Sequence, residues 1–181
     1  MTQNETQEEL TLEDVKKQAA LEVKEQDTGR LVQLIIFKLA NEEYALHIDQ
    51  IKEVVLTPSI AKIPQTPPYI KGVANIRGNI IAIVDLEYKF GLVNTNSEVN
   101  SQYTLVVESE HFKIGILVKE VPNTLTVKES DIDNTSTVLQ YSNLDSNCIK
   151  GIVKSAERMI IMVDMIKMME SEELKKVVTL S

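Results

Sequence analysis

The sequence predicts a mainly β protein made of two similar lobes, and three observations predict it. Short apolar runs recur along the 181-residue chain, bounded by Gly, Pro, Asn and Asp, which is strand-and-turn texture. Helical periodicity longer than a single turn is confined to the two ends. A strand-pair motif also occurs twice: Ile70-Lys71-Gly72-Val73 returns as Ile149-Lys150-Gly151-Ile152, an offset of 149 − 70 = 79. At that offset Ile81, Val84 and Asp85 meet Ile160, Val163 and Asp164, so six of the 17 positions from 70 to 86 are identical. A weaker match, Lys52-Glu53-Val54 with Lys119-Glu120-Val121, keeps the order at an offset of 119 − 52 = 67. The repeat reads as two pseudo-symmetric β lobes of about five short strands each. At ~60–70 residues neither lobe buries much apolar surface alone, so the two are expected to share a hydrophobic core.

Residues 1–30 stand apart, with eight acids and four bases, half of the net charge of −8. Thr11 and Asp14 offer a cap for a helix over Leu12 to Glu25. Its stripe of Leu12, Val15, Ala19 and Val23 is thin, so a mobile acidic arm is expected. Leu31 to Leu39 is nearly all apolar, as in a strand buried on both faces. Asn41-Glu42-Glu43 turns the chain back into Tyr44 to Ile48, and a single helical turn is expected around Asp49 to Lys52. Pro58, Pro64, Pro67 and Pro68 confine the next stretch to loop and edge structure. Ile70 to Ile76 and Ile80 to Leu86 then pair through Arg77-Gly78-Asn79, which supplies the positive φ of a tight hairpin.

The polar segment Gly91 to Ser101 separates lobe one, about 31–95, from lobe two, about 101–165, within one domain spanning 31–170. Tyr103 to Glu108 and Phe112 to Val118 form a second hairpin around Ser109-Glu110-His111, and Asp131 to Asn147 is a longer loop. Met165 to Val178 closes the chain as a C-terminal helix, with Ile166, Met169, Leu174 and Val177 or Val178 facing inward.

The acid excess argues against a nucleic-acid binder, since no basic stripe is present to neutralise phosphates. No apolar run approaches the ~18 residues of a spanning helix, and Met1 to Glu9 is too acidic for a signal peptide. Cys148 is the single cysteine, so no internal disulfide is possible. A soluble intracellular protein without direct membrane insertion is the expectation. Catalytic sets are absent from the pattern. His47 and His111 lack metal-ligand spacing, and Cys148 has no neighbouring base in sequence. Asp85 and Asp164 end equivalent strands, where a carboxylate more often receives backbone N–H bonds than performs chemistry. Gly78 belongs to no phosphate loop. No enzyme, cofactor or metal is expected. Two charges keep two readings each: Arg77 at the hairpin tip and Glu53 are either solvated or poised for a partner's charge.

The run Pro68-Tyr69-Ile70-Lys71-Gly72-Val73-Ala74-Asn75-Ile76-Arg77-Gly78-Asn79, followed by Ile83-Val84-Asp85-Leu86, closely resembles the signature of the CheW family of chemotaxis coupling proteins. Phe37, Leu39 and Glu42-Glu43-Tyr44-Ala45, the stretch Ile51 to Val54, and Arg158-Met159-Ile160-Ile161 are similar to that family as well. The resemblance covers roughly Leu31 to Glu170. It departs at Ala82, where the family usually has proline, and at Lys119, where an acid is common. It implies two SH3-like five-stranded β-barrels around a shared core. It also implies a non-catalytic adaptor, cytoplasmic and recruited to membrane-associated receptor arrays. Its partners would be the regulatory domain of the CheA histidine kinase and the cytoplasmic tip of methyl-accepting chemoreceptors. Ile48, Ile51, Gly115 and Val121 match receptor-binding positions, and Glu53, Asn75, Arg77 and Gly78 match positions that couple to a partner. Two alternatives stand beside this reading: the same module in a pathway controlling surface motility or gene expression, and a β-barrel small-molecule-binding protein or enzyme.

Overall fold

Both faces of strand β1 (Leu31–Leu39) are apolar, and its alternation separates two cores. Val32, Leu34 and Ile36 point into one, with Ala45 of β2 (Glu42–His47). Ile35, Phe37 and Leu39 point into another, with Tyr44 and Leu46. The computed structural model describes residues 29–92, 101–134 and 148–170, together with Glu13 and Lys16. The latter two are helical and exposed; the rest of the acidic arm, the 135–147 stretch and residues 171–181 lie outside the described residues.

Two sheets carry the fold. The five-stranded sheet has the order β3-β6-β7-β5-β4, where β3 is Ile51–Leu56, β4 Ile70–Ile76, β5 Asn79–Val84, β6 Tyr103–Glu108 and β7 Lys113–Val118. The six-stranded sheet has the order β8-β1-β2-β11-β10-β9, where β8 is Asn123–Lys128, β9 Ile132–Asp133, β10 Ile149–Ser155 and β11 Arg158–Val163. Neighbours are antiparallel except for one parallel pair in each, β5 with β7 and β2 with β11. The architecture is mainly β, two SH3-like barrels sharing a hydrophobic core. The short β9 makes the second sheet six-stranded where five strands were expected.

The repeat at offset 79 is realised in detail. The β4–β5 pair shifts register between Ile70 and Gly72, and the β10–β11 pair between Ile149 and Gly151. Gly72 explains the bulge: at φ 141 a Cβ would fall on the carbonyl oxygen of Ala61, which bridges to Val73. Asp85 accepts from the Tyr88 amide at 3.1 Å and caps helix α1 (Leu86–Lys89). Asp164 accepts from Ile166 and Lys167 and caps α2 (Met165–Met169). The two aspartate amides donate to Tyr69 and Cys148, which are again 148 − 69 = 79 apart.

The strands do not divide as the sequence implied. One barrel is contiguous, β3 to β7, residues 51–118; the other combines β1 and β2 with β8 to β11, residues 31–47 and 123–163. A boundary near 95–101 therefore cuts through the contiguous barrel. Only the β4–β5 and β10–β11 hairpins keep recognisable identity. Their sheet neighbours, β6–β7 and β1–β2, match in place and not in residues, so sequence order misassigned them. The match at offset 67 is not structural either: Lys52–Val54 lies in β3, but Lys119–Val121 lies in the loop before β8.

The chain crosses between barrels twice, through a 3-10 turn at Ile48–Gln50 and through residues 119–122. At the C-terminal end, the inward face expected of Ile166 is corrected. Capping by Asp164 makes Met165 the first helical residue, so the buried stripe is Met165, Met168 and Met169, and Ile166 is 42% exposed.

In the five-stranded sheet β6 and β7 lie between β3 and β5. A 31–95 fragment lacks them, which leaves β3 without its neighbour β6 and β5 without β7. It is expected to aggregate or remain unfolded by circular dichroism and gel filtration; a monomeric, cooperatively unfolding fragment would contradict this topology.

Candidate partner-binding surface

The β4–β5 tip is built by Arg77 at φ 50 and Gly78 at φ 85, the pair of positive values whose twist suits a two-residue hairpin. Asn75 Oδ1 accepts the Gly78 amide at 2.9 Å and closes the turn from beneath. Arg77 Nε donates to Glu53 Oε2. Glu53 belongs to β3 and the turn to β4 and β5, so this pair links the two opposite edges of the five-stranded sheet and helps close the barrel. The Arg77 side chain is 75% exposed and that of Glu53 is 18% exposed. The result is a guanidinium on a fixed backbone, oriented from below by a half-buried carboxylate, with its outer edge toward solvent. Glu53, Asn75, Arg77 and Gly78 are thus brought together.

Arg158 makes the contrasting case. It engages Glu43 bidentately, Nε to Oε2 at 2.9 Å and Nη2 to Oε1 at 2.7 Å, across the parallel β2–β11 pair. The Arg158 hydrogen bond holds the Glu43 carboxyl below its ordinary value of 4.5. Two guanidinium nitrogens meet both carboxylate oxygens, so this pair ties the strands together.

The positions matched to receptor binding fall in different settings. Ile48 begins the 3-10 turn and Ile51 follows it, both half-buried against the shared core; His47 Nδ1 accepts the Asp49 amide there at 3.3 Å. A groove of about 780 Å³ opens beside the turn, lined by Asp49 and Gln50, by Phe112 of the β6–β7 turn, and by Ile166 and Met169 of α2. Val121 is 57% exposed on the second crossover, where Glu120 lies 3.6 Å from Lys38, toward the far end of β1. Gly115 is not a surface residue. It is buried in β7 between Ile83 of β5 and Val106 of β6, and a Cβ would meet Thr104 Cγ2 at 2.5 Å and Ile83 Cδ1 at 2.7 Å. The absence of a side chain makes room for barrel packing.

Ala82 lies in β5 between β4 and β7, so the departure from proline falls on an interior strand. Sequence reasoning missed Glu87. It is 5% exposed on α1, and its carboxylate accepts the Ala40 amide at 2.7 Å and Lys119 Nζ at 2.9 Å. Its partners are 47 and 32 residues away, so no local spacing reveals them. Among the described residues no group of three or more metal-ligating side chains occurs, and no helix is long and apolar enough to cross a membrane.

The profile of the CheW-like domain matches residues 33–173. The chain belongs to the CheW-like domain family. It is 28% identical to the chemotaxis protein CheW of Treponema pallidum over 151 residues, covering 82% of this chain and 88% of the relative. It is 31% identical to that of Helicobacter pylori over 144 residues, 80% of this chain and 85% of the relative. The crystal structure of the scaffolding protein TtCheW from Thermoanaerobacter tengcongensis superposes with a TM-score of 0.69 at 30% identity, covering 80% and 96% of the two chains. As a CheW-family member the protein is a chemotaxis coupling adaptor; the alternative of a barrel enzyme or small-molecule binder is not favoured.

Two measurements separate scaffold from surface in this CheW-family fold. Gly115→Ala is expected to cost ~1–3 kcal/mol of stability by urea unfolding, because an inserted methyl must displace Thr104 or Ile83. Unchanged stability would return Gly115 to the candidate contacts. For Glu43, a folded pKa below the unfolded value means the Arg158 pair stabilises the fold above 4.5, and the contribution fades as pH falls through Glu43's lowered value. Arg158→Gln should therefore be less stable than the parent at neutral pH, with the gap narrowing in strong acid. A gap independent of pH would refute the pairing.

Proposed function

We propose that this CheW-family chain joins the regulatory domain of a CheA histidine kinase to the cytoplasmic tip of methyl-accepting chemoreceptors, working in the cytoplasm at membrane-associated receptor arrays. The observation that carries the reading is the β4–β5 tip, where Arg77 stands exposed on a rigid turn. Glu53, Asn75, Arg77 and Gly78 form the coupling surface, and Ile48, Ile51 and Val121 contact the receptor. The chemistry supports such a role. Exposed or half-buried apolar residues at the two crossovers supply contact area, and a fixed charge sets orientation and partner choice. Nothing in this function requires a reacting group or a cofactor.

The ion pair beneath Arg77 is exposed on one side, which limits its own worth to about 0–1 kcal/mol. A partner's carboxylate on the guanidinium would be partly desolvated, and stranding it costs ~2–5 kcal/mol of binding. Arg77→Ala is therefore expected to keep its thermal midpoint within a few degrees and to lose kinase activation in a receptor–kinase reconstitution. Arg77→Lys should restore only part of it, since an ammonium cannot reproduce the planar fork. Full activation by Arg77→Ala would remove the tip from the coupling surface. Failure of the unaltered chain to bind either a CheA regulatory domain or a receptor-tip fragment would overturn the whole reading.

A further inference from the structure

The Glu87 carboxylate joins three separate segments through two short hydrogen bonds. It sits on α1, at the end of the contiguous barrel, with its side chain 7% exposed. Oε1 takes the amide of Ala40, the left-handed residue at φ 52 that turns β1 into β2 in the other barrel. Oε2 takes Lys119 Nζ, from the first residue after β7, where the chain leaves one barrel for the other. Glu120, the next residue, is held 3.6 Å from Lys38 near the same end of β1. Val121 follows, 57% exposed. A buried carboxylate with charge-assisted bonds has a strong geometric preference, because leaving it unpaired is costly. An acid at position 119 would instead set a second carboxylate against Glu87, so the departure at Lys119 has a local counterpart.

We propose that Glu87 and Lys119 form a positioning pair: they seat the crossover that carries Val121 against the β1–β2 turn, and so set affinity for the receptor tip without touching it. This rests on the reading that Val121 faces the receptor. Lys119 is half exposed and its aliphatic stem can be kept while its charge is removed, which makes the pair testable without emptying a core.

The test compares the full chain with Lys119→Met, Lys119→Arg and Lys119→Glu. Three quantities are read: amide hydrogen exchange at Ala40 and Val121, affinity for a chemoreceptor cytoplasmic-tip fragment, and affinity for a CheA regulatory domain. Lys119→Met is expected to speed exchange at both amides and weaken tip binding about 10-fold, within the range by which residues outside a contact alter coupling. Lys119→Glu should do more, and Lys119→Arg should keep parental values. Kinase binding should stay within about 2-fold, since the β4–β5 tip is not part of this network. Unchanged exchange or unchanged tip affinity in Lys119→Met would overturn the proposal, as would equal loss for both partners. Should the unaltered chain fail to bind the tip, the receptor reading falls and takes the affinity claim with it; exchange at Ala40 and Val121 then judges the seating by itself.

Discussion

The structure depends on burying the outer faces of two barrels against each other. Among the described residues, the core between the sheets holds twenty buried side chains, whereas the two barrel interiors hold eight and six. Each fully buried aliphatic or aromatic side chain contributes about 1.5–3 kcal/mol of gross stabilisation, so the shared core represents several tens of kcal/mol. Net stabilities of domains are only about 5–15 kcal/mol. Separation of the barrels would therefore exceed the whole margin. Strand parity enforces the arrangement: Ile114, Ile116 and Val118 of β7 face the shared core, and Gly115 and Leu117 face the interior. Tyr44 shows how polar edges are handled there, its ring stacked between Phe37 and Phe90 while its hydroxyl donates to Glu42 at 3.2 Å; burial pushes the phenol's pKa up.

From that core follows the permuted organisation. One barrel is drawn from the middle of the chain and the other from its flanks, so two crossovers must bridge them, at Ile48–Gln50 and at 119–122. Short polar bridges fix each crossover in place, the His47 cap at the first and the Glu87–Lys119 pair at the second. A partner that meets Ile48, Ile51 or Val121 therefore touches the points where the barrels are joined, which is a natural seat for an adaptor whose geometry must be held and not changed.

Legibility in the sequence followed the locality of each constraint. The double-faced β1 was readable because both parities of Leu31–Leu39 are apolar. The repeat at offset 79 was readable because a bulge glycine and a capping aspartate impose residue identity: a Cβ would meet the Ala61 carbonyl at Gly72 and the Asn134 side chain at Gly151, and Asp85 and Asp164 each cap a helix. The lobe boundary was not readable, since β6–β7 and β1–β2 occupy equivalent places through apolar pattern alone, which many sequences satisfy. Gly115 matched a contact position by motif, but its role depends on Thr104 and Ile83 packing from neighbouring strands. Arg77 and Gly78 were readable as a turn; the Glu53 beneath them belongs to the opposite edge of the sheet and comes into reach only when the barrel closes.

The sister hairpin separates what the turn needs from what its side chain adds. Position 156 is equivalent to 77 at the offset of 156 − 77 = 79, and Ala156 adopts φ 53 where Arg77 adopts φ 50. The left-handed backbone is therefore met with a methyl group in one barrel and a guanidinium in the other, so the turn itself does not call for arginine. Nor does barrel closure alone, since the isolated bridge between Ala61 and Val73 already joins the chain after β3 to β4 through two backbone bonds of 2.8 and 2.9 Å. An exposed Arg–Glu pair adds about a kcal/mol at most. With backbone and barrel both served largely by other means, the planar cation at that tip is left available to something outside the chain, which supports the coupling role proposed for Arg77.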